Sequence, residues 1–416
     1  MTLVHKFIPT LNYDYIIIGG GIAGTTAAET IRTRDAGASV LIISAEQHRL
    51  YSRVILPHVV RGKVAEEKAF LRTADFYKEK NIELRTGIAA TGIDTNARVV
   101  RLSDESSVVY EKALLIATGG TPRKLTLPGA DAADVLYFQT LEDSRRLIDA
   151  QNASSAVVYG GGFIGLEFLM SFAKAGIRTT SIVRGNGFFS RVVDARGSEM
   201  IGRTLEQNGV ILNTGIEIKG IEVSSGKKSV HLSHGGPLVC DVIGAGIGIE
   251  LYTGFLKESG INSNFGVLAD EYLRTSASNV YVAGDVAEIV DPFARVPRTV
   301  GNWQNALFQG KIAGANMAGG EEKYEALTSY SISCFGLPIA FAGAVEIVAD
   351  TRITRLSTSG ASLQLIVKGE RLVGATCVGP FPERAVVMKL ITERVHLTAN
   401  KLDAAGDSRV DLASLV

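Results

Sequence analysis

Two glycine-rich runs in this chain have the residue types and spacing to cradle a diphosphate. The first is Gly19-Gly-Gly21-Ile-Ala-Gly24, entered through Asp14-Tyr-Ile-Ile-Ile; the second, 141 residues on, is Gly160-Gly-Gly162-Phe-Ile-Gly165, entered through Ala156-Val-Val-Tyr. In such a turn the first glycine makes the tight exit from a strand and the second lets backbone approach a pyrophosphate. The third lets the following helix pack on the strand. That helix offers unsatisfied N–H groups and a partial positive charge to the phosphates. One copy is weak, because glycine turns before helices are common. Two copies with correct flanks argue for two dinucleotide sites in one chain.

The elements that must position these turns follow from periodicity. A strand at 14–18, a helix at 22–36 and a strand at 39–44 make a first βαβ unit. After a helix expected over Leu71–Lys80, short alternating runs at 83–86, 97–102 and 107–110 suit an antiparallel meander. Ala113-Leu-Leu-Ile-Ala117-Thr118-Gly119 is a buried strand running into a Gly-Thr-Pro break that reads as a domain crossing. A second βαβ unit has strands near 156–160 and 178–183, then a meander from about 211 to 240. Asp241-Val-Ile-Gly-Ala-Gly246-Ile reads as a returning strand, and Asn279-Val-Tyr-Val-Ala-Gly-Asp285 as one that ends on an acid, where open α/β sheets bind ligands. From Glu321 the pattern changes to strands at 328–334, 339–349, 351–357, 361–368 and 371–378, with a helix near 382–394.

Composition narrows the partners. The 416 residues carry 43 basic and 43 acidic side chains, so no net charge argues for nucleic acid or acidic lipid. No apolar run reaches the roughly 18 residues of a membrane span, and Met1–Thr10 lacks the pattern of a signal peptide. The cytoplasm is the expected location. Cys240, Cys334 and Cys377 are scattered without metal-ligand spacing and read as buried free thiols. His48 to Lys68, where flavoprotein disulfide reductases carry redox cysteines, holds none.

The order of first fingerprint, Ala117-Thr118-Gly119, second fingerprint, Gly244-Ala-Gly246 and Ala283-Gly284-Asp285 resembles the FAD-dependent pyridine nucleotide reductases of the glutathione-reductase fold. Leu50-Tyr51-Ser52-Arg53-Val-Ile-Leu-Pro-His58 is similar to a segment of their rubredoxin and ferredoxin reductase type. Gly301-Asn-Trp303-Gln-Asn-Ala306-Leu-Phe-Gln309-Gly310 is similar to that group's tryptophan helix. The resemblance covers residues 12 to about 345. It implies an α/β fold with two Rossmann-like domains, one for FAD (1–121 and 245–320) and one for NAD(P) (122–244), plus a small C-terminal α+β domain (321–416).

It also implies residue roles. Gly19, Gly21, Gly24, Ala117, Thr118 and Gly119 would line the FAD site, Arg53 would contact the flavin side, Asp285 the ribityl chain, and Trp303 would lie near the isoalloxazine. Glu46 is the candidate for the adenosine ribose, although the group's acid stands one place earlier, at Ala45. Gly160, Gly162, Gly165 and Gly246 would hold NAD(P). Where NADH-preferring relatives carry an acid at the end of the second strand, this chain has Arg184, which favours a 2′-phosphate by charge-assisted hydrogen bonds, with Arg191 as a second donor. The group pairs a lysine at the position of His58 with a glutamate at that of Glu167, so these two are the candidate catalytic residues, Glu167 orienting the nicotinamide and His58 tuning flavin reduction by its charge.

The function implied is hydride transfer between NAD(P)H and FAD, with electrons passing between flavin and an iron-sulfur protein or subunit. A flavin NAD(P)H oxidase and a non-catalytic NAD(P)H-responsive flavoprotein remain open. A quinone reductase is disfavoured, since Ala399–Val416 has no basic amphipathic membrane helix.

Overall fold

A computed structural model describes residues 11–416, so the reading of Met1–Thr10 lies outside the described residues. The chain gathers into two compact units. One holds residues 11–54, 66–121 and 250–326; the other holds 55–65, 122–249 and 327–416.

The first unit is built on β1 (Leu11–Ile18), followed by helix α1 (Ile22–Arg34) and strand β2 (Val40–Ser44). Ile16, Ile17, Leu41 and Ile42 have no exposed surface, the mark of parallel strands covered on both faces. β3 (Glu83–Thr86) pairs with β2, and β1 pairs on its other side with β6 (Ser107–Ile116), all parallel. β4 (Ala90–Asp94) and β5 (Val99–Leu102) extend the sheet antiparallel through the first half of β6. Thus Glu83–Thr86, expected in the meander, is instead the parallel edge strand, whose half-exposed alternation looks the same in sequence. The runs at 107–110 and 113–116 fuse into one strand, with a register shift opposite Tyr13 and Tyr15.

The helix expected over 71–80 is confined to Phe76–Glu79. Residues before it are tied elsewhere: the Leu71 N–H donates to the Leu50 carbonyl, and Arg49 Nε donates to the Arg72 carbonyl at 2.8 Å. The strand Val280–Val282 adds in parallel to β6. The helix Trp303–Met317 crosses α1 closely, because Gly310 and Gly314 lie on Ala23 and Ala27, where an added Cβ would come within 2.3 and 2.5 Å of the alanine carbonyl oxygens.

In the second unit, the one-turn helix α2 (Leu56–Val60) packs against α3 (Phe163–Lys174). β7 (Ser155–Tyr159), β8 (Arg178–Val183), β9 (Val210–Thr214) and β10 (Val242–Ala245) form a parallel sheet in the order β9-β8-β7-β10. The run beginning near 211 is therefore an edge strand, and the meander comprises Ile218–Ser224, Lys227–Leu232 and Leu238–Cys240.

The tail is a five-stranded antiparallel sheet. Its second strand, Leu337–Gly343, stops short of the expected 349 because Gly343 turns the chain at φ 65°. This sheet is fastened to the second nucleotide fold. Ser362 Oγ donates to the Asp194 carboxylate at 2.7 Å, and Thr376 Oγ1 donates to the Val192 carbonyl at 2.9 Å. The rings of Phe163, Phe189, Tyr330 and Phe341 meet with centroids 4.9 to 5.6 Å apart.

Candidate dinucleotide sites

The two fingerprints are built to one plan. β1 lies between β2 and β6, and β7 between β8 and β10, so each turn leaves its strand where the sheet order reverses. A Cβ on Gly19 would fall 2.1 Å from the Ala117 carbonyl oxygen, and one on Gly160 2.2 Å from that of Gly246. A Cβ on Gly24 or Gly165 would fall 2.0 Å from the carbonyl oxygen of Gly19 or Gly160. These four glycines exist so that strand, helix and neighbouring strand can touch. Gly21 and Gly162 differ, since a Cβ there would meet no atom within 4 Å. Each caps its helix, α1 or α3, with no side chain accepting from the first N–H groups and no acid in the first turn. Uncapped donors with a positive dipole end suit a dinucleotide diphosphate.

Further groups in the first unit fit FAD. Thr118 Oγ1 and Gln309 Nε2 are buried without a hydrogen-bond partner among the described residues, although Gln309 Oε1 accepts from the Gly284 N–H at 2.8 Å. Gly119 turns with φ 63° and faces open space. The Asp285 carboxylate makes no hydrogen bond to another described residue. Burial pushes it up to about 6, with the Arg53 charge opposing. A half-buried acceptor lacking donors is what a polyhydroxyl chain would satisfy. Arg53 ion-pairs with Glu46, which also accepts from the Tyr51 hydroxyl, and the Arg53 guanidinium lies 5.7 Å from the Tyr51 ring centre. Glu46, the ribose candidate, is thus held by two residues of the motif segment. Trp303 opens its helix, with Asn302 as the N-cap accepting from the Asn305 N–H at 2.8 Å, and packs half-buried on the first unit's core.

The raised Asp285 carboxyl has a consequence for stability. Its value in the fold, about 6, lies above its ordinary 3.8, so ionising it destabilises the folded state; the penalty is absent below about pH 4 and complete above pH 6. In flavin-stripped protein, Asp285→Asn is expected to raise stability by at most about 2 kcal/mol at pH 7.5, the partial exposure screening some of it, and by nothing at pH 4. Chemical denaturation at the two pH values checks this; equal gains at both would remove the buried charge as the cause.

In the second unit Arg184 follows β8, is exposed, and has no ion-pair or hydrogen-bond partner among the described residues; Arg191 is exposed too. Between them the Phe189 N–H donates to the Gly161 carbonyl at 2.8 Å, tying the arginine loop to the fingerprint.

Glu167 lies in the second turn of α3, but its partner is Arg61, not His58. Arg61 Nη1 donates to Glu167 Oε2 in an ion pair whose side chains are only 7% and 14% exposed. The His58 ring points to solvent and makes no bond to Glu167. Partial burial and the Arg61 charge hold its imidazole below the ordinary value, with Glu167 opposing. Arg61 follows His58 by three residues, one turn on, and its longer side chain reaches where the imidazole does not. Sequence reading missed Arg61 because it matched the lysine's position in the segment rather than its face of the helix.

The three thiols are free and buried, and burial pushes Cys240 up to about 11 and Cys334 and Cys377 up to about 12. Thiolates are therefore scarce at neutral pH. Among the described residues no helix is long and apolar enough to cross a membrane.

The family described as pyridine nucleotide-disulphide oxidoreductase matches residues 13–310. The chain is 29% identical over 391 residues to the NADH-dependent phenylglyoxylate dehydrogenase subunit epsilon of Aromatoleum evansii, covering 92% of each. It is 27% identical over 401 residues to rhodocoxin reductase of Rhodococcus erythropolis, covering 95% of this chain and 93% of that one. The crystal structure of the covalent putidaredoxin reductase–putidaredoxin complex shares its fold with a TM-score of 0.87 at 26% identity, over 98% of both chains.

Proposed function

The chain belongs to the pyridine nucleotide-disulphide oxidoreductases, and from that premise we propose that it is an FAD-dependent NAD(P)H oxidoreductase exchanging electrons with an iron-sulfur protein. FAD, when bound, supplies a two-electron acceptor for hydride that can release electrons one at a time. The chain's own residues bind and orient. The Gly21 and Gly162 turns receive the two diphosphates, Asp285 accepts from ribityl hydroxyls, and Glu167, fixed by Arg61, is the acceptor for the nicotinamide amide. One observation carries the reading: two dinucleotide turns of one design share a chain whose three thiols are buried and unpaired. Electrons then leave without passing through a disulfide, as suits a direct iron-sulfur partner.

Similarity to rhodocoxin reductase and to the putidaredoxin reductase complex supports a separate carrier. Similarity to a subunit of an NADH-dependent dehydrogenase supports a place in a larger enzyme, in which flow toward NAD(P)⁺ is as feasible as the reverse. The cytoplasm is the proposed location. Anaerobic reduction by NADH followed by mixing with an iron-sulfur carrier or with oxygen tests the reading: fast reoxidation is expected from the carrier only. Fast reoxidation by air alone makes the protein an oxidase, and failure to reduce at all makes it a binding module.

Arg184 is proposed to set nucleotide choice. Arg184→Glu replaces an ionic hydrogen bond, worth about 1.5–3 kcal/mol, with repulsion. It is expected to lower kcat/KM for NADPH about 10- to 100-fold relative to NADH. An unchanged ratio for the two nucleotides would place the 2′-position elsewhere.

A further inference from the structure

The loop that carries Arg184 is held from behind by the tail sheet. After β8 the chain runs Arg184-Gly-Asn-Gly187, a stretch whose glycines leave its backbone without stiffness of its own. It then turns at Phe189, whose φ of 52° lies in the left-handed region. A bulky residue adopts that conformation only under strain, and such strain gathers at ligand clamps. Glycine would make the same turn freely, so what Phe189 adds is its ring.

Backbone and ring both fix this residue. The Phe189 N–H donates to the Gly161 carbonyl at 2.8 Å, and its carbonyl accepts from the Val192 and Val193 N–H groups at 2.8 and 2.9 Å. The ring is only 7% exposed; it lies edge-on to Phe163 at 4.9 Å and tilted to Phe341, in the tail sheet, at 5.5 Å. Register shows that one face of that sheet carries all the fastenings. Phe341 pairs with Thr376 and Thr376 with Gln364, so Ser362, two residues before Gln364, and Val378, two after Thr376, share the face of Phe341. Thr376 reaches the Val192 carbonyl and Ser362 the Asp194 carboxylate, and Val378 Cγ2 lies 2.8 Å from where a Cβ on Gly197 would stand. That face thus grips residues 189–197, and the glycine-rich stretch with Arg184 spans the gap between the grip and β8.

We propose that Phe189 and Phe341 are positioning residues for the nucleotide's 2′-phosphate: through these two rings the tail sheet sets where Arg184 stands beside the fingerprint. The inference rests on the nucleotide-choice reading of Arg184 above. An arginine whose loop is ordered beforehand binds more tightly than one that must be ordered on contact. The test measures binding of 2′,5′-ADP and 5′-ADP to the flavin-loaded protein by calorimetry, well below its unfolding temperature. The wild type is expected to favour 2′,5′-ADP. Phe341→Leu, which keeps apolar bulk, and Phe189→Gly, which keeps the turn, are each expected to weaken 2′,5′-ADP about three- to tenfold and to leave 5′-ADP within about twofold. The double variant should be no weaker than either single one, because both break the same contact. Leu365→Ala is the control: Leu365 pairs with Ala375 and Ala375 with Ala342, which places this buried residue on the opposite face of the same sheet. It should lower the melting temperature through its cavity and leave both affinities unchanged. Wild-type preference persisting in both phenylalanine variants overturns the proposal, as does an equal loss of preference in Leu365→Ala, which would make the effect one of general stability. A wild type that binds both probes alike overturns the Arg184 reading, and this inference with it, before any ring is changed.

Discussion

Gly21→Val is expected to yield a folded, soluble protein without flavin. Gly21 has φ −74° and ψ −171°, a conformation open to any residue, and its Cβ meets nothing within 4 Å, so the fold has no reason to resist. The side chain occupies the space through which a diphosphate must approach the N–H groups of α1. Each hydrogen bond lost to a charged group costs about 1.5–3 kcal/mol, so affinity should drop on the order of a thousandfold or more. Gly24→Val is the contrasting case. Its Cβ would press to 2.0 Å from the Gly19 carbonyl oxygen and 2.9 Å from Ile17, and the helix would have to leave the strand. Flavin absorbance per chain together with thermal unfolding separates the two: Gly21→Val colourless with a melting temperature matching flavin-stripped wild type, Gly24→Val destabilised outright. Gly162→Val should keep FAD and lose reduction by NAD(P)H. A yellow Gly21→Val protein with one FAD per chain would sink the assignment of this turn.

The same glycines explain why so much was readable beforehand. A turn that packs backbone on backbone admits one residue type, so the fingerprints, the strands before them and the helices after them stand out in the sequence. Elements held by distant bonds do not. Leu71 to Asp75 has a helical composition, yet its backbone is claimed by Leu50 and Arg49. Glu83–Thr86 alternates like a meander strand, and only its neighbour β2 decides that it runs parallel. At the candidate site, the identity of Glu167 was legible from its offset after Gly165, whereas its cation was not. A one-turn helix offers His58 and Arg61 on one face, and side-chain length decides between them, a quantity that no motif spacing encodes.

That choice leads to the sharpest expected result, a catalytic charge that can be moved by one helical turn. If Glu167 orients the nicotinamide amide, Glu167→Gln should slow flavin reduction about 10- to 100-fold with FAD still bound, because small misplacement of a reacting group is costly. Arg61→Met removes the cation instead and leaves a buried carboxylate unpaired, a loss of about 3–5 kcal/mol if the charge persists. A proton relieves it, so this variant should reduce flavin slowly at low pH and recover as pH rises and the carboxylate ionises. His58→Lys alone should change little, since Arg61 already holds Glu167. In the Arg61→Met background the same substitution places an ammonium one turn earlier on the same face and should restore both rate and flat pH profile. Merely repairing packing would not do this, because His58 is exposed and makes no bond to Glu167. Stopped-flow flavin reduction across about pH 5 to 8 for the single and double variants decides it. If His58→Lys fails to rescue Arg61→Met while slowing the wild type, the imidazole acts by its own chemistry and the ion pair is structural.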